Sequence, residues 1–219
     1  MKKIPTLFER EYADHKVVGI KHVLSDPSLE WVINGEGRAT LKIDGACCAI
    51  TDGKFYRRYD AKHGKKPPEG AIPCCEPDPI TGHWPHWLPV TTDDSGAKWY
   101  IEAFNNTEAA EGRKLENGTY EAIGPHFQGN PYNMEKDVLV RHGLVDLEHK
   151  STLEGLPDYL KNITKGIAFF FDKIRTFEWL RDYLKENAIE GIVFWKDGEP
   201  KCKIKRSDFG FPWPVKEEE

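Results

Sequence analysis

The sequence predicts an α+β protein built mainly from antiparallel sheets with flanking helices. Two Asp-Gly pairs, Asp52-Gly53 and Asp197-Gly198, each separate two strand-like segments, which is the pattern of tight β-hairpins. The segment 176–187 instead has apolar side chains at helical spacing behind a threonine suited to N-capping. A chain of 219 residues, 39% of them hydrophobic, can bury one substantial core. We therefore expect a single domain over residues 1–219.

The strands of the first half follow from residue alternation and from turn residues. Residues 40–50 are predicted to form a strand that breaks at Asp44-Gly45, and residues 54–59 return as its partner after the Asp52-Gly53 turn. Residues 118–123 form a further strand. This arrangement puts Lys42 at a strand end.

The second half begins with a helix predicted over residues 151–162 and interrupted early by Pro157. An apolar run at 166–171 predicts a buried strand. After the helix at 176–187, Glu190 opens a strand that returns through residues 201–206.

The overall charge excludes a protein that coats nucleic acid by bulk electrostatics, because the formal net charge is −5 and the pI about 5.9. Two stretches are nevertheless basic. Residues 54–66 carry six basic residues against one acid, and residues 196–206 carry five against two. These stretches suit the binding of phosphate groups, although the run 62–66 is equally well explained as a solvated loop.

The cysteines do not predict a disulfide framework, since there are five and none has Cys-x-x-Cys spacing. Cys74-Cys75 together with His83 and His86 permit a zinc site. Vicinal cysteines on an extended segment point to opposite sides, however, so an ordered proline-rich loop is favoured.

No stretch approaches the roughly twenty apolar residues of a membrane span, and no apolar segment follows Lys2-Lys3. We therefore expect a soluble monomer in the cytoplasm or another intracellular compartment, without a membrane partner.

The motif Lys42-Ile43-Asp44-Gly45 carries the most chemical information, because Glu190-Gly191 and Lys203-Ile204-Lys205 follow it in the order that lysine-based nucleotidyl transfer requires. An amine attacks a phosphorus only when unprotonated, yet the pKa of a free lysine is about 10.4. In a strand, Lys203 and Lys205 would share one face, where they could hold the α-phosphate and disfavour a further charge on Lys42.

Glu190 is the candidate metal ligand. Mg²⁺ prefers oxygen ligands and usually takes only one or two protein carboxylates besides substrate phosphates. The sequence does not separate Mg²⁺ from Mn²⁺. Taken alone, each motif also has a structural explanation, as a turn, a strand entry or a solvated strand face. Their combination and order carry the argument.

This order resembles the covalent nucleotidyltransferase superfamily of ATP-dependent ligases and mRNA capping enzymes. Lys42-Ile43-Asp44-Gly45 is similar to its motif I, residues 120–124 to motif III, Gly191 with its neighbours to motif IV, and residues 203–205 to motif V. The resemblance spans about residues 40–214. It implies the adenylyltransferase fold of RNA and DNA ligases, with sheets around a nucleotide cleft.

A finer resemblance is to RNA ligases of the RNA ligase 1 type, which join 5′-phosphate and 3′-hydroxyl RNA ends. The segments that carry it are Gly82-His83-Trp84-Pro85-His86-Trp87-Leu88-Pro89-Val90, Ile123-Gly124, Gln128-Gly129-Asn130-Pro131-Tyr132, Arg141-His142-Gly143 and Gly210-Phe211-Pro212-Trp213-Pro214. Cys47 stands where DNA ligases and capping enzymes typically carry an arginine. Only fourteen residues follow Lys205, too few for a C-terminal OB domain, so we expect none. Ala46 departs from the Thr or Ser of related RNA ligases.

The resemblance implies a catalytic set of Lys42, Lys203 and Lys205. It also implies nucleotide-binding residues, namely Asp44, Arg58, Glu121, Phe169 and Val193. Arg58 would contact ribose or phosphate, with Arg57 as its close competitor, and Glu121 would accept from ribose hydroxyls.

An aromatic side chain would stack on adenine, a contact worth roughly 1–3 kcal/mol in single-stranded complexes. Phe169 is the first choice and Phe171 the second, although a phenylalanine run packed wholly in the core is equally consistent with the sequence. Val193 would close the other side of the base. His126 and His142 are assigned to structure in preference to RNA contact.

The resemblance thus implies an ATP-dependent RNA ligase that forms a lysyl-AMP. Two alternatives stay open: another lysine nucleotidyltransferase, either a GTP-dependent capping type or a DNA nick ligase, and a non-catalytic RNA-binding module.

Overall fold

The structure is a computed structural model that describes residues 3–14, 16–61, 64–79, 82–150, 156–170 and 175–215. The chain divides into two compact units. Unit 1 comprises Met1–Lys3, Asp44–His142 and Pro157–Asn162, and unit 2 comprises Ile4–Ile43, Gly143–Leu156 and Ile163–Glu219. The boundary between Ile43 and Asp44 falls inside the motif that contains Lys42.

The strands in chain order are β1 (Phe8–Ala13), β2 (Lys16–Leu24), β3 (Arg38–Lys42), β4 (Ala46–Thr51), β5 (Lys54–Ala61), β6 (Ile72–Pro73), β7 (Trp84–Pro89), β8 (Gly118–Ile123), β9 (Val138–Arg141), β10 (Gly191–Lys196) and β11 (Glu199–Lys205). The helices are α1 (Glu30–Ile33), α2 (Lys98–Glu111), α3 (Lys161–Thr164) and α4 (Phe177–Glu186). Short 3₁₀ helices cover Pro27–Leu29, Ser95–Ala97, Asp158–Leu160 and Arg206–Phe209.

Unit 1 is built on one antiparallel sheet with the strand order β6-β7-β5-β4-β8-β9. One face of this sheet is apolar and packs with α2. The buried members of this core are Cys48, Ile50, Ala103, Tyr120, Ala122, Phe127 and Leu139. Because side chains alternate along a strand, Cys47 and Glu121, next to Cys48 and Tyr120, lie on the other face.

The hairpin between β4 and β5 confirms the Asp52-Gly53 prediction. Thr51 pairs with Lys54, and the two turn residues have φ of 50° and 70°. Both values lie in the left-handed region that a two-residue hairpin turn of this kind requires.

Unit 2 contains a three-stranded antiparallel sheet with the order β11-β10-β3, and a separate hairpin of β1 and β2. Asp197-Gly198 forms the predicted turn, with Lys196 opposite Glu199 and φ of 54° and 75°. Ile192, Phe194 and Ile204 are fully buried on one face of the sheet. The α+β class and the mainly antiparallel sheets are therefore confirmed.

Helix α4 confirms the predicted start at Thr176, whose hydroxyl accepts a hydrogen bond from the backbone N–H of Trp179 at 3.3 Å. Leu180 and Leu184 are fully buried. Asn187 ends the helix and donates its backbone N–H to the carbonyl of Tyr183.

Strand pairing around Lys42 differs from the prediction. Residues 38–42 and 46–51 belong to different sheets: β3 pairs with β10, whereas β4 pairs with β5. The strand that carries Arg58 therefore does not pair with the strand that carries Lys42. The break at residues 43–45 separates the two strands, and alternation within each cannot reveal that they enter different sheets.

One further prediction fails within residues 151–171, and another is confirmed only for the helical residues after Pro157. No strand forms over the described residues 166–170. The backbone N–H of Phe170 donates to the carbonyl of Leu147, and that of Ala168 donates to the side chain of Asn187. The helix expected over 151–162 consists of the 3₁₀ turn Asp158–Leu160 and α3, while residues 151–155 and Phe171 lie outside the described residues.

A search of the described residues for a helix long and apolar enough to cross a membrane finds none.

Candidate functional site

The amine groups of Lys42 and Lys205 meet at one carboxylate, that of Glu190. Lys42 Nζ lies 2.6 Å from Oε2 of Glu190, and Lys205 Nζ lies 2.7 Å from Oε1. The side chain of Glu190 is 5% exposed, against 20% for Lys42 and 30% for Lys205. We call these three residues the lysine cluster.

The register of the three-stranded sheet brings the lysine cluster together. Gly191, the first residue of the central strand β10, is opposite Lys42 on β3 and Lys205 on β11. Glu190 precedes Gly191 directly, so its carboxylate lies between the two lysines. A Cβ atom on Gly191 would lie 2.2 Å from the carbonyl oxygen of Ile204, a distance that real Cβ atoms do not show. Strands β10 and β11 therefore approach so closely at this point that position 191 requires glycine.

Lys203 and Val193 lie on the same sheet face as the lysine cluster. Val193 is opposite both Lys203 and Thr40, two residues along from the Gly191 pairs. Lys203 and Lys205 are half-buried, whereas Ile204 between them is fully buried. The predicted division of this segment into a lysine face and an isoleucine face is confirmed.

The turn after β11 holds the backbone of the cluster. The N–H of Arg206 donates to the carbonyl oxygen of Glu190 at 2.8 Å, and the N–H of Lys205 donates to the Asp208 carboxylate at 2.8 Å. Arg10 forms an ion pair with the same carboxylate at 2.7 Å. Sequence reasoning missed Arg10, Arg206 and Asp208. A signal existed for Asp208, since an acid three residues after a strand end is typical of a cap.

Burial of the Arg206 guanidinium lowers its pKa from the ordinary value. Its side chain donates to the backbone carbonyls of Leu184, Lys185, Asn187 and Pro212. Arg206 therefore ties the turn after β11 to the C-terminal end of α4.

Unit 1 places Cys47, Glu121 and His142 on the sheet face opposite its core. Cys47 on β4 is directly opposite Glu121 on β8. Glu121 is opposite Val140 on β9, and His142 follows two residues later. His142 Nε2 lies 2.7 Å from the Glu121 carboxylate. Burial, reinforced by the charge of Glu121, raises the pKa of the Cys47 thiol to about 12.

The two candidate arginines on β5 point to opposite faces. Arg57 is opposite Cys48 of the core and pairs with Asp94 at 2.9 Å. By alternation, Arg58 shares the face of Cys47 and Glu121, and its Nε donates to Asp60 at 2.7 Å. This placement favours Arg58 over Arg57.

The loop after β8 contacts the second half of the Lys42 motif. The backbone N–H of Asp44 donates to the Tyr132 hydroxyl at 2.7 Å, and the Gln128 amide donates to the carbonyl of Gly45 at 3.2 Å. A Cβ on Gly45 would lie 2.3 Å from the carbonyl oxygen of Ala122. Tyr132 and Gln128 belong to a segment that the sequence singled out without assigning it a role.

The aromatic candidates are divided by burial. Phe170 is buried against Trp179 and Tyr183 at centroid distances of 4.8 and 5.2 Å, so it belongs to the core. Phe169 is half-buried. Phe171 lies outside the described residues.

The zinc ligands considered from the sequence do not converge. Among the residues with described positions, Cys74, Cys75, His83 and His86 contribute no group of three potential ligands. The indole N–H of Trp84 instead donates to the Cys75 carbonyl, which helps to order the loop. His126 stacks on Trp99 and bonds to the buried Asp137 at 2.6 Å, as a structural residue would.

Comparison with known proteins bears on this site. No family model matches the chain. It is similar to curated proteins called RNA ligase 1. The protein of Pongo abelii is 24% identical over 94% of this chain and 77% of its own length, and that of Mus musculus is 25% identical over 94% and 76%. The protein of Danio rerio is 26% identical over 61% of this chain and 43% of its own. The chain is thus a distant relative of the RNA ligase 1 proteins, as its motifs indicated.

Proposed function

We propose that this protein is an ATP-dependent RNA ligase that joins 5′-phosphate and 3′-hydroxyl RNA ends through a lysyl-AMP at Lys42. The observation that carries the proposal is the lysine cluster, in which the candidate nucleophile Lys42 and the phosphate-binding Lys205 meet at Glu190. The relatives are called RNA ligase 1, which supports RNA as the substrate.

Attack on ATP begins with a change of partner for Lys42. Its nitrogen lies 2.6 Å from Glu190 and can approach a phosphorus atom only by leaving that carboxylate. Once its ammonium proton has passed to solvent, the nitrogen bonds to the α-phosphorus, the bond from that phosphorus to the pyrophosphate oxygen breaks, and the nitrogen loses a second proton to leave a neutral N–P link. Lys203 and Lys205, on the same sheet face, would stabilise the charge that grows on the α-phosphate oxygens.

Glu190 fits a hard divalent cation that arrives with ATP. Each carboxylate oxygen of Glu190 already accepts a hydrogen bond from a lysine. Glu190 can therefore hold a cation only by losing its contact with at least one of the two lysines. In the described part of the chain, Glu190 belongs to no group of three potential ligands. It would therefore be one carboxylate among water and phosphate oxygens, which is how Mg²⁺ is usually held. Bound Mg²⁺, or Mn²⁺ in its place, would neutralise charge on the phosphates.

The proposal also assigns individual residues to contacts with the nucleotide. Glu121 accepts from the ribose hydroxyls, with His142 orienting its carboxylate, and Arg58 contacts ribose or phosphate. Asp44, whose backbone is held by Tyr132, also belongs to the nucleotide-binding set. Phe169 stacks on adenine, and the half-buried Val193 closes the other side of the base.

The remaining steps need no group beyond those named. An oxygen of the RNA 5′-phosphate attacks the lysyl-AMP phosphorus, the Lys42 nitrogen takes up a proton from solvent, and the N–P bond breaks to return the neutral amine. The 3′-hydroxyl oxygen then attacks the activated 5′-phosphate, loses its proton, and displaces AMP. Pyrophosphate and AMP need no ionisable side chain to protonate them as they leave, because the lysines and a bound metal ion would stabilise their charge.

The decisive experiment is an intact-mass measurement under denaturing conditions. Protein first treated with pyrophosphate, to remove any AMP already bound, is incubated with ATP and Mg²⁺. We expect wild type to gain one AMP and Lys42→Ala to gain none. Lys201→Ala, which changes a lysine of β11 that pairs with Glu199, should behave as wild type. An adduct on Lys42→Ala would contradict the proposal.

The same assay separates the alternatives. GTP in place of ATP tests a capping-type activity, and an adduct formed with GTP alone would exclude an ATP-dependent ligase. Wild type carrying AMP is then given single-stranded RNA, nicked RNA and nicked DNA. We expect sealing of RNA ends that carry a 5′-phosphate and none of ends that lack it.

A further inference from the structure

We propose that Cys47, Glu121 and His142 form a binding site for a thiophilic divalent cation of the Zn²⁺ class. One potential ligand atom from each residue lies within 4.8 Å of the other two. The described residues contain no other such group of three. The site lies entirely within unit 1, on the face of its sheet opposite the core.

The three ligands are fixed by strand register and not by a flexible loop. Cys47 is opposite Glu121 in the β4–β8 pair, and Glu121 is opposite Val140 in the β8–β9 pair. The backbone N–H of His142 donates to the carbonyl of Thr119, which extends the β9 register by one residue beyond Arg141. Side chains two residues apart on a strand share a face, so all three side chains project from the same side of the sheet.

The mixture of donor atoms decides the class of ion. A sulfur, an imidazole nitrogen and a carboxylate oxygen form a donor set typical of Zn²⁺, whereas Mg²⁺ and Ca²⁺ take oxygen ligands. In a tetrahedral site, Zn–N of about 2.0 Å and Zn–S of about 2.3 Å put neighbouring ligand atoms roughly 3.3–3.8 Å apart. Because the observed limit is 4.8 Å, the ligand atoms would have to move together by about 1 Å to reach that range.

One ring nitrogen of His142 makes no hydrogen bond to the described residues. Its Nε2 bonds to Glu121, but its Nδ1 is buried and has no hydrogen-bond partner among the described residues. Buried polar nitrogens without partners are uncommon in folded proteins. A cation held through Nδ1 would give the ring a second partner while Nε2 keeps its bond to Glu121.

The electrostatic surroundings tolerate a cation. Glu121 supplies a negative charge, and binding would convert the Cys47 thiol to a thiolate with release of a proton. Arg58 acts electrostatically on Cys47, but its positive charge is paired with Asp60 at 2.7 Å. Three protein ligands leave a fourth position for water or another small ligand.

Occupation of this site would withdraw Glu121 from the nucleotide, a consequence that rests on the proposed function. Zn²⁺ should then slow the transfer of AMP to Lys42 in a buffer that contains Mg²⁺. Binding itself does not depend on that function, so it is tested first and without ATP.

The test uses the full chain, stripped of metal with a chelator and then titrated with Co²⁺ alone. Co²⁺ replaces Zn²⁺ in such sites, and a thiolate ligand gives a charge-transfer absorption in the near ultraviolet. We expect one equivalent to bind with that absorption, and Zn²⁺ to displace it. Cys47→Ser should lose the absorption, and His142→Ala should weaken Co²⁺ binding at least tenfold. Lys42→Ala should bind as wild type, which separates this result from any failure of adenylylation.

Cys74→Ser is the matched control, because Cys74 is also a half-buried thiol of unit 1 but belongs to no ligand group. It should keep the full absorption. Any of three results would refute the proposed site. These are absorption that survives in Cys47→Ser, absorption that disappears in Cys74→Ser, and no absorption in wild type.

Thermal melting in chelator checks that Cys47→Ser is folded, and Glu121→Gln serves in its place if it is not. For the nucleotide, equal inhibition of wild type and Cys47→Ser by Zn²⁺ would contradict the competition at Glu121.

Discussion

In unit 2, Lys42 and Lys205, both proposed for catalysis, bond to the same carboxylate, whereas the groups proposed for nucleotide binding in unit 1 bond to residues that have no proposed contact with the nucleotide. Glu190 holds Lys42 and Lys205 directly. Glu121 is held by His142, Arg58 by Asp60, and the backbone of Asp44 by Tyr132. Substitutions in the lysine cluster should therefore abolish chemistry, and substitutions among the unit 1 partners should mainly reduce affinity.

The largest effect is expected for Lys42→Arg. Arginine keeps the positive charge beside Glu190 but does not deprotonate near neutral pH, so it cannot act as the nucleophile. We expect adduct formation to fall by at least ~10³-fold, while the free energy of unfolding changes by less than about 1 kcal/mol. A time course of intact mass and urea unfolding measure the two quantities. Substantial adduct formation by this variant would place the nucleophile elsewhere.

Glu190→Gln should slow adduct formation by about 10²-fold, the size of effect seen when one electrostatic group of an active site is removed. The amide keeps the shape of the side chain but cannot serve as an anionic metal ligand. Glu199→Gln is the control, because Glu199 pairs with Lys201 at the surface of the same hairpin. Equal rates for the two variants under single-turnover conditions would remove Glu190 from the mechanism.

Gly191→Ala tests whether the close approach of strands β10 and β11 beside the lysine cluster requires glycine. The new Cβ would lie 2.2 Å from the Ile204 carbonyl, so we expect the free energy of unfolding to fall by about 2 kcal/mol. At Gly19, also in a strand, the nearest atom to a new Cβ is the flexible Glu11 carboxylate at 3.4 Å. Gly19→Ala should change stability by less than about 0.5 kcal/mol in the same urea titrations. Similar losses in both variants would contradict the packing argument.

Tyr132→Phe removes the hydroxyl that accepts from the Asp44 backbone N–H. We expect KM for ATP in adduct formation to rise by roughly 3- to 10-fold, corresponding to about 1 kcal/mol for one hydrogen bond, with kcat little changed. Tyr12→Phe, at a tyrosine that is 64% exposed, should leave KM unaltered. A fall in kcat with constant KM would instead assign Tyr132 to the chemical step.

The smallest effect concerns Arg57, which points away from the Glu121 face. Its hydrogen bond lowers the pKa of the Asp94 carboxyl below the ordinary 3.8. A carboxyl whose pKa is lowered by folding adds stability above its unfolded pKa and loses that contribution as the pH falls. Arg57→Gln should therefore unfold more easily by less than about 1 kcal/mol at pH 7, and the difference should shrink below pH 3.8. Adduct formation should be unaffected, and a large loss would restore Arg57 as the nucleotide-binding arginine.

Local features of the fold could be predicted because their causes are local. Asp52-Gly53 and Asp197-Gly198 supply the positive φ values of two-residue turns, and Thr176 caps its own helix. The prediction of a strand at 166–171 was wrong for the described residues of that segment. An apolar run shows that a segment is buried, but it does not show whether another strand lies beside it to form a ladder.

The candidate site could be predicted as a set of residues but not as an arrangement. The motifs indicated Lys42, Glu190, Lys203 and Lys205, and alternation gave the shared face of the last two. Glu190 was expected only as a metal ligand. Its contact with Lys42 joins positions 148 residues apart, and no local pattern encodes such a distance.

The sequence by itself determined which side chains are available and which of them share a face of a strand, because alternation is a property of each strand alone. Tertiary structure decided which faces meet. Sheet register placed Gly191 opposite both Lys42 and Lys205, and it brought Cys47 beside Glu121 and His142, a group that no spacing along the chain predicted. Register is set by packing over a whole sheet, so residues distant along the chain acquire their partners only when the sheet forms.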